Sequence, residues 1–257
     1  MAMNDGAGAR RIFVGAVLAD SLRVVCDLRF VARAAAVPFL FDLVGDVLHR
    51  LYANAAISLP ALALVAIAGA SLAVKTHRHI LLHEPPGAAN LGARDWRYLG
   101  RYIVIALPLL AIFLAILLAA ALATATVPID IPLWVLVGGA VVLLGILFFA
   151  LFVLLVMPAA LSLPALAIGN ETFGAADSRT ALTGNRSALF AIAAAVILVP
   201  LSLAIGLAFG LNAIDQTGIA VVEPVNALLQ CFSEVGFSAS LSFVYAGIVQ
   251  GDRRYAG

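Results

Sequence analysis

Residues 55–74, 102–127, 133–157 and 188–211 contain no Asp, Glu, Lys or Arg, and each stretch is near or above the length that crosses a hydrocarbon core, about 20 residues. In lipid, backbone N–H and C=O groups must find partners inside the protein, which leaves helices or a closed barrel. Barrel strands alternate apolar and polar residues with period two, and these runs do not. The expected fold class is therefore all-α, a polytopic membrane helix bundle. Composition agrees, with 64% hydrophobic and 11% charged residues, too few polar side chains to cover a soluble domain of 257 residues. A net charge of +1 offers no basic excess for nucleic acid, so no DNA or RNA partner is expected.

Residues 225–249 form a further apolar run that carries one acid, Glu234. Residues 30–48 are weaker, interrupted by Arg33, Asp42 and Asp46, with Pro38 in the middle. Charge asymmetry makes this segment a span. Arg10, Arg11, Arg23, Arg29 and Arg33 precede it, while Lys75, Arg78, Arg94, Arg97 and Arg101 follow the next run. Positive-inside logic puts both clusters in the cytoplasm, so two crossings separate them. The same logic places Arg179, Arg186, Arg253 and Arg254 inside and the connections around Asp130 and Asp215 outside. Six helices with both ends cytoplasmic result, in a bacterial inner membrane. Residues 1–9 read as a flexible tail, 10–27 as an interfacial amphipathic helix, 28–251 as the six-helix domain and 252–257 as a cytoplasmic tail.

In the interfacial helix Asp20, Arg23 and Asp27 fall at i, i+3 and i+7 and share one face. The fourth run continues past Pro158 and Pro164 to Ile168, which predicts a bend or an exit near Pro158. A corner with a short cytoplasmic helix should follow. Gly169 ends one helix, Thr172 caps the next, Gly184 terminates it and Asn185 caps the fifth span. Cys26 and Cys231 lack metal-ligand spacing and read as reduced packing residues.

The strings LSLPALAIG (161–169) and LTGNRSALF (182–190) flank this corner. HRHILLHEPP (77–86), RDWRYLGRY (94–102) and SFVYAGI (242–248) occur elsewhere in the chain. Together they resemble a family of largely uncharacterised bacterial six-helix proteins that includes the membrane domain fused to some glycerophosphodiester phosphodiesterases. The family usually carries a basic residue before the LSLP string, where this chain has Ala160. The resemblance implies a fold more than an activity, and no catalytic residue of the phosphodiesterase barrel carries over.

Chemistry-bearing residues are few. His77, His79 and His83 could be offered to a metal, but on a helix His77 and His79 point to different faces, so no metal and no cofactor is expected. Asp42 lies nine residues beyond Arg33, about 14 Å along a helix, and is expected at the midplane, buried, with a hydroxyl, amide or carbonyl partner. Glu234 is expected at the outer rim, about 28 Å before Arg253. Ala195, Ser202, Gly206 and Gly210 form a small-residue stripe suited to helix packing. No nucleophile elbow, P-loop or HExxH is present, so catalysis is not expected. The leading expectation is a non-enzymatic scaffold or accessory subunit whose partners are membrane lipids and other membrane-protein subunits. The alternative is a small-molecule or lipid transporter.

Overall fold

A computed structural model describes residues 10–52, 55–85, 92–126, 143–200, 202–203, 206 and 222–257. The tail at 1–9, Gly210 and the connections around Asp130 and Asp215 lie outside the described residues. What is described is helical apart from one isolated antiparallel bridge between Ile12 and Ala256. The helices are α1 (Val14–Cys26), α2 (Leu28–Tyr52), α3 (Ala55–Leu82), α4 (Ala93–Thr126), α5 (Leu143–Ala167), α6 (Ala175–Ala181), α7 (Arg186–Leu198) and α8 (Val222–Tyr245, prolonged by a π turn at Ala246–Gln250). Among the described residues three stretches are long and apolar enough to cross a membrane: Ala93–Ile116, Leu143–Ala167 and Glu223–Gln250. The bent pair α6 and α7, which meet at 107°, makes a fourth if it counts as one span.

Helix α2 passes through Pro38 without interruption, whereas α5 is interrupted by a turn at Leu161, three residues past Pro158, before it ends at Ala167. A proline ring clashes with the carbonyl four residues back. In α5 the turn Phe152–Val156, just before Pro158, widens to a π turn, and in α7 Ala194–Leu198 does the same before Pro200. A wider turn moves the obstructing carbonyl aside, which is why α5 continues past Pro158.

Helix α8 is the centre of the assembly, packed against α1, α2 and α3. Helix α1 contributes Val17 and Ser21, and the Ser21 hydroxyl lies 2.9 Å from that of Ser240. The N-terminal helix is thus docked on the bundle, with Leu22 and Phe13 left exposed. Asp20 and Arg23 pair on its outer face, but Asp27 has left that face. Its carboxylate accepts the backbone N–H groups of Arg29 and Phe30, 3.1 Å each, and so caps α2. Cys26, anticipated as a packing residue, is exposed, because α1 ends there; Cys231 is buried.

The anticipated C-terminal tail is folded under the bundle. Gly251, at φ +82°, reverses the chain, and residues 255–257 then pair with residues 11–13. Arg11 N–H donates to the Gly257 carbonyl at 2.7 Å and Phe13 N–H to that of Tyr255 at 2.8 Å. The Tyr255 hydroxyl donates to Asp20 at 2.9 Å. Burial, and then that carboxylate, push the Tyr255 phenol up to about 12.

At the corner, α5 ends in a Schellman arrangement: Asn170 N–H reaches the Ala165 carbonyl, Gly169 N–H that of Leu166, and Gly169 sits at φ +87°. Thr172 does not cap the next helix. Its hydroxyl donates to the Asn170 side chain, and α6 starts two residues later at Gly174, whose N–H is taken by Asp177 at 2.7 Å. Gly184, at φ +87°, occupies the turn closed by Asn185 N–H and the Leu182 carbonyl. Asn185 stands at the N-cap position of α7, yet its side chain caps nothing there. It holds the N-terminal segment, accepting from Ile12 N–H at 3.0 Å and donating to the Arg10 carbonyl at 2.8 Å.

Candidate functional site

A seam of polar side chains runs along the inner face of α8. Cys231, Glu234, Ser238 and Ser242 recur at three- and four-residue spacing, so they share one helical face. Helices α2, α3 and α4 supply the facing groups. The register is regular: Glu234 abuts Gly69 and Ser242 meets His77, eight residues on along each helix, as expected of α3 and α8 lying parallel at this seam.

At one end the seam carries two carboxylates within electrostatic reach of one another. Asp42, from α2, is buried and accepts the Cys231 thiol at 3.6 Å, a donor outside the hydroxyls, amides and carbonyls anticipated for it. Glu234 lies three residues further along α8 and within electrostatic reach of Asp42 and of the Tyr98 and Tyr102 hydroxyls on α4. A Cβ built on Gly69 would stand 2.8 Å from Glu234 Oε1, so the missing side chain at Gly69 is what admits the carboxylate. Glu234 lies eleven residues, about 16 Å, inside the Glu223 end of its helix and faces Gly69 of α3.

Toward the arginine-rich end the seam closes on His77. This imidazole is completely buried, with Nδ1 2.7 Å from Ser242 Oγ and Nε2 3.1 Å from the Tyr98 hydroxyl. Ser242 already donates its proton to the Ser238 carbonyl at 2.9 Å. Its oxygen must then accept from Nδ1–H, which leaves Nε2 to accept from Tyr98. The tautomer follows from the hydrogen-bond count. Between these levels, Ser238 Oγ is fully buried and oriented toward Tyr98, without a hydrogen bond of good geometry.

The other two histidines go elsewhere. His79 stacks on Phe30 with ring centroids 4.4 Å apart, its Nδ1 2.9 Å from the Glu84 carbonyl, and His83 leaves the helix at φ +56° and is exposed. Among the described residues no group of three His, Cys, Asp or Glu side chains is placed to hold a metal. In the small-residue stripe Ala195 is half-buried, while Ser202 and Gly206 face outward. Pro164 is buried in the last turns of α5.

Sequence reasoning missed His77, Tyr98 and Gly69 as parts of one site. For the tyrosine and glycine no local signal exists; for α8 the Cys231, Glu234, Ser238 and Ser242 spacing was legible. No protein-family model, curated protein or solved structure matches the chain.

Proposed function

We propose that this chain is a non-enzymatic, six-span protein of a bacterial inner membrane, with both termini in the cytoplasm, and that its polar seam serves proton-linked transport of a small or lipid-like solute. The observation that carries this reading is the buried Asp42 of α2 held by the Cys231 thiol of α8, with Glu234 one turn further along the same face. Ionisable groups inside a membrane are expensive and mark ion or proton paths by default. Carboxyl, phenol, hydroxyl and imidazole groups can each pass a proton on, and here the Tyr98 phenol, hydrogen-bonded to His77, lies within electrostatic reach of Glu234.

Proteoliposomes enclosing a pH-sensitive dye test it. Wild-type protein should admit protons under an imposed potential, and Glu234→Gln should slow that flux about tenfold or more with unchanged thermal stability, the loss of one relay step. Flux no greater than in empty liposomes would sink the transport reading. Topology has its own test: reporters fused after Gly87, Asn170 and Gly257 should read cytoplasmic, and those after Tyr52, Asp130 and Asp215 external. An external signal at Gly87 would remove the six-span arrangement.

A second reading, an accessory subunit, is favoured by the helical residues just beyond α7, where Ser202 and Gly206 are exposed together with Val199 and Leu203. Small residues let another helix approach closely. Mild-detergent purification would favour it by returning a stoichiometric protein partner.

A further inference from the structure

The right-angled corner between α6 and α7 leaves a cleft of about 460 Å³ that the polar seam does not use. Its floor is apolar, made by Leu154, Leu155 and Pro158 of α5 and Leu189 of α7. Its mouth carries Arg179 of α6 and Arg186, the first residue of α7. These arginines are seven positions apart in sequence, and both line one cavity at the 107° bend.

Charge at this mouth is uncompensated. Arg23, Arg78, Arg97 and Arg254 each pair with an acid, whereas Arg179 and Arg186 have no carboxylate partner among the described residues. The first turn of α7 contains no acidic residue, and Asn185 has turned its side chain away to the N-terminal segment. The start of α7 therefore presents both cationic side chains and uncapped backbone N–H groups, an arrangement that favours an anion. The apolar floor opens outward, since Leu154 in its lining is exposed on the outer surface, as is Phe190 next to Leu189 in the chain.

A ligand that satisfies both halves has a phosphate at one end and hydrocarbon at the other. We propose that the cleft binds an anionic phospholipid, with its headgroup phosphate between Arg179 and Arg186 and its acyl chains leaving along Leu154 and Leu189. The volume suits a headgroup and glycerol, within the usual range of small-molecule sites. Basic pockets between helices at a membrane boundary are suited to such headgroups. Nothing in this inference depends on proton transport.

The test is lipid retention by the intact chain in nanodiscs of phosphatidylcholine with a minor fraction of phosphatidylglycerol, read by native mass spectrometry after transfer to detergent. Phosphatidylglycerol should be retained in preference, and the double variant Arg179→Gln, Arg186→Gln should lose about tenfold of that retention, as expected for two charge-assisted contacts. Arg23→Gln, which removes a charge at the same end but outside the cleft, should retain it as the wild type does. The wild type gives a second reading that requires no variant: raising salt should release phosphatidylglycerol but not the bulk phosphatidylcholine. Equal retention by the double variant would overturn the proposal, as would equal loss in Arg23→Gln. Stabilisation of the wild type by inorganic phosphate alone, to the extent given by the lipid, would also overturn it in favour of a free-phosphate site.

Discussion

Helix α4 buries 11% of the residues in its most apolar stretch and α8 buries 61%, although α4 is the more apolar of the two. In water the order would be reversed, because burial there follows hydrophobicity. In a bilayer the surroundings are as apolar as leucine, so Val104, Leu107, Leu110 and Leu114 can remain on the surface of α4. Helix α8 goes inside because it carries what lipid cannot accommodate: Glu234, Ser238, Ser240 and Ser242. Small side chains serve the same end, since Ala227, Ala239 and the Ala68–Ser71 stretch of α3 let the two backbones approach.

The contrast can be broken by mutation. The largest effect is expected at the seam: His77→Leu leaves the Tyr98 and Ser242 hydroxyls buried without their partner and should cost about 2–4 kcal/mol in detergent thermal unfolding. A loss no larger than that of a surface change would mean that the seam is wet and open. Next, Gly69→Val forces the end of the Glu234 side chain to swing aside and should cost about 1 kcal/mol. The double variant with Glu234→Ala should recover most of this, because the obstruction is gone. Gly184→Val should then cost about 1 kcal/mol or more, since valine resists the left-handed conformation of that turn. At the small end, Leu107→Ala on the outer face of α4 should change stability by less than about 0.5 kcal/mol. A large loss there would show that α4 is covered by another chain.

One measurement concerns the folded tail instead. The Tyr255 phenol is raised above its ordinary value, so its contribution is whole below pH about 10 and is lost as pH rises toward about 12. Ultraviolet titration of wild type minus Tyr255→Phe should show one tyrosine ionising near the upper value. Ionisation at the ordinary value would mean that the tail does not hold Asp20.

Legibility divides along the same line as burial. Charge-free runs and the short-range signals around them were readable because their physics is local: apolar length predicts helices in lipid, and Gly169 ends α5 through backbone geometry that only its own turn determines. Asp42 was readable as a buried carboxyl because depth can be counted along one helix. That Glu234 would face Gly69 was not readable, because neither residue's neighbourhood in the chain records which helices pair. Asn185 was assigned to its helix on sequence preference, whereas its side chain is drawn to Arg10 and Ile12. Local capping and a distant hydrogen-bond pair compete for one amide, and the sequence does not show which wins.

The sequence by itself determined that this chain is helical and carries spans of membrane length, since backbone hydrogen bonding in lipid leaves little choice. It also determined which residues of α8 share a face, because helical spacing is arithmetic. Only the tertiary structure decided that α8, and not the more apolar α4, is enclosed, and that Asp42, Glu234, Tyr98 and His77 from four helices line one seam. Packing against lipid costs an apolar helix almost nothing, so hydrophobicity does not rank helices by burial. Which polar groups meet depends on which helices pair and in what register, and at Gly69 the Glu234 carboxylate occupies the room that a side chain would fill.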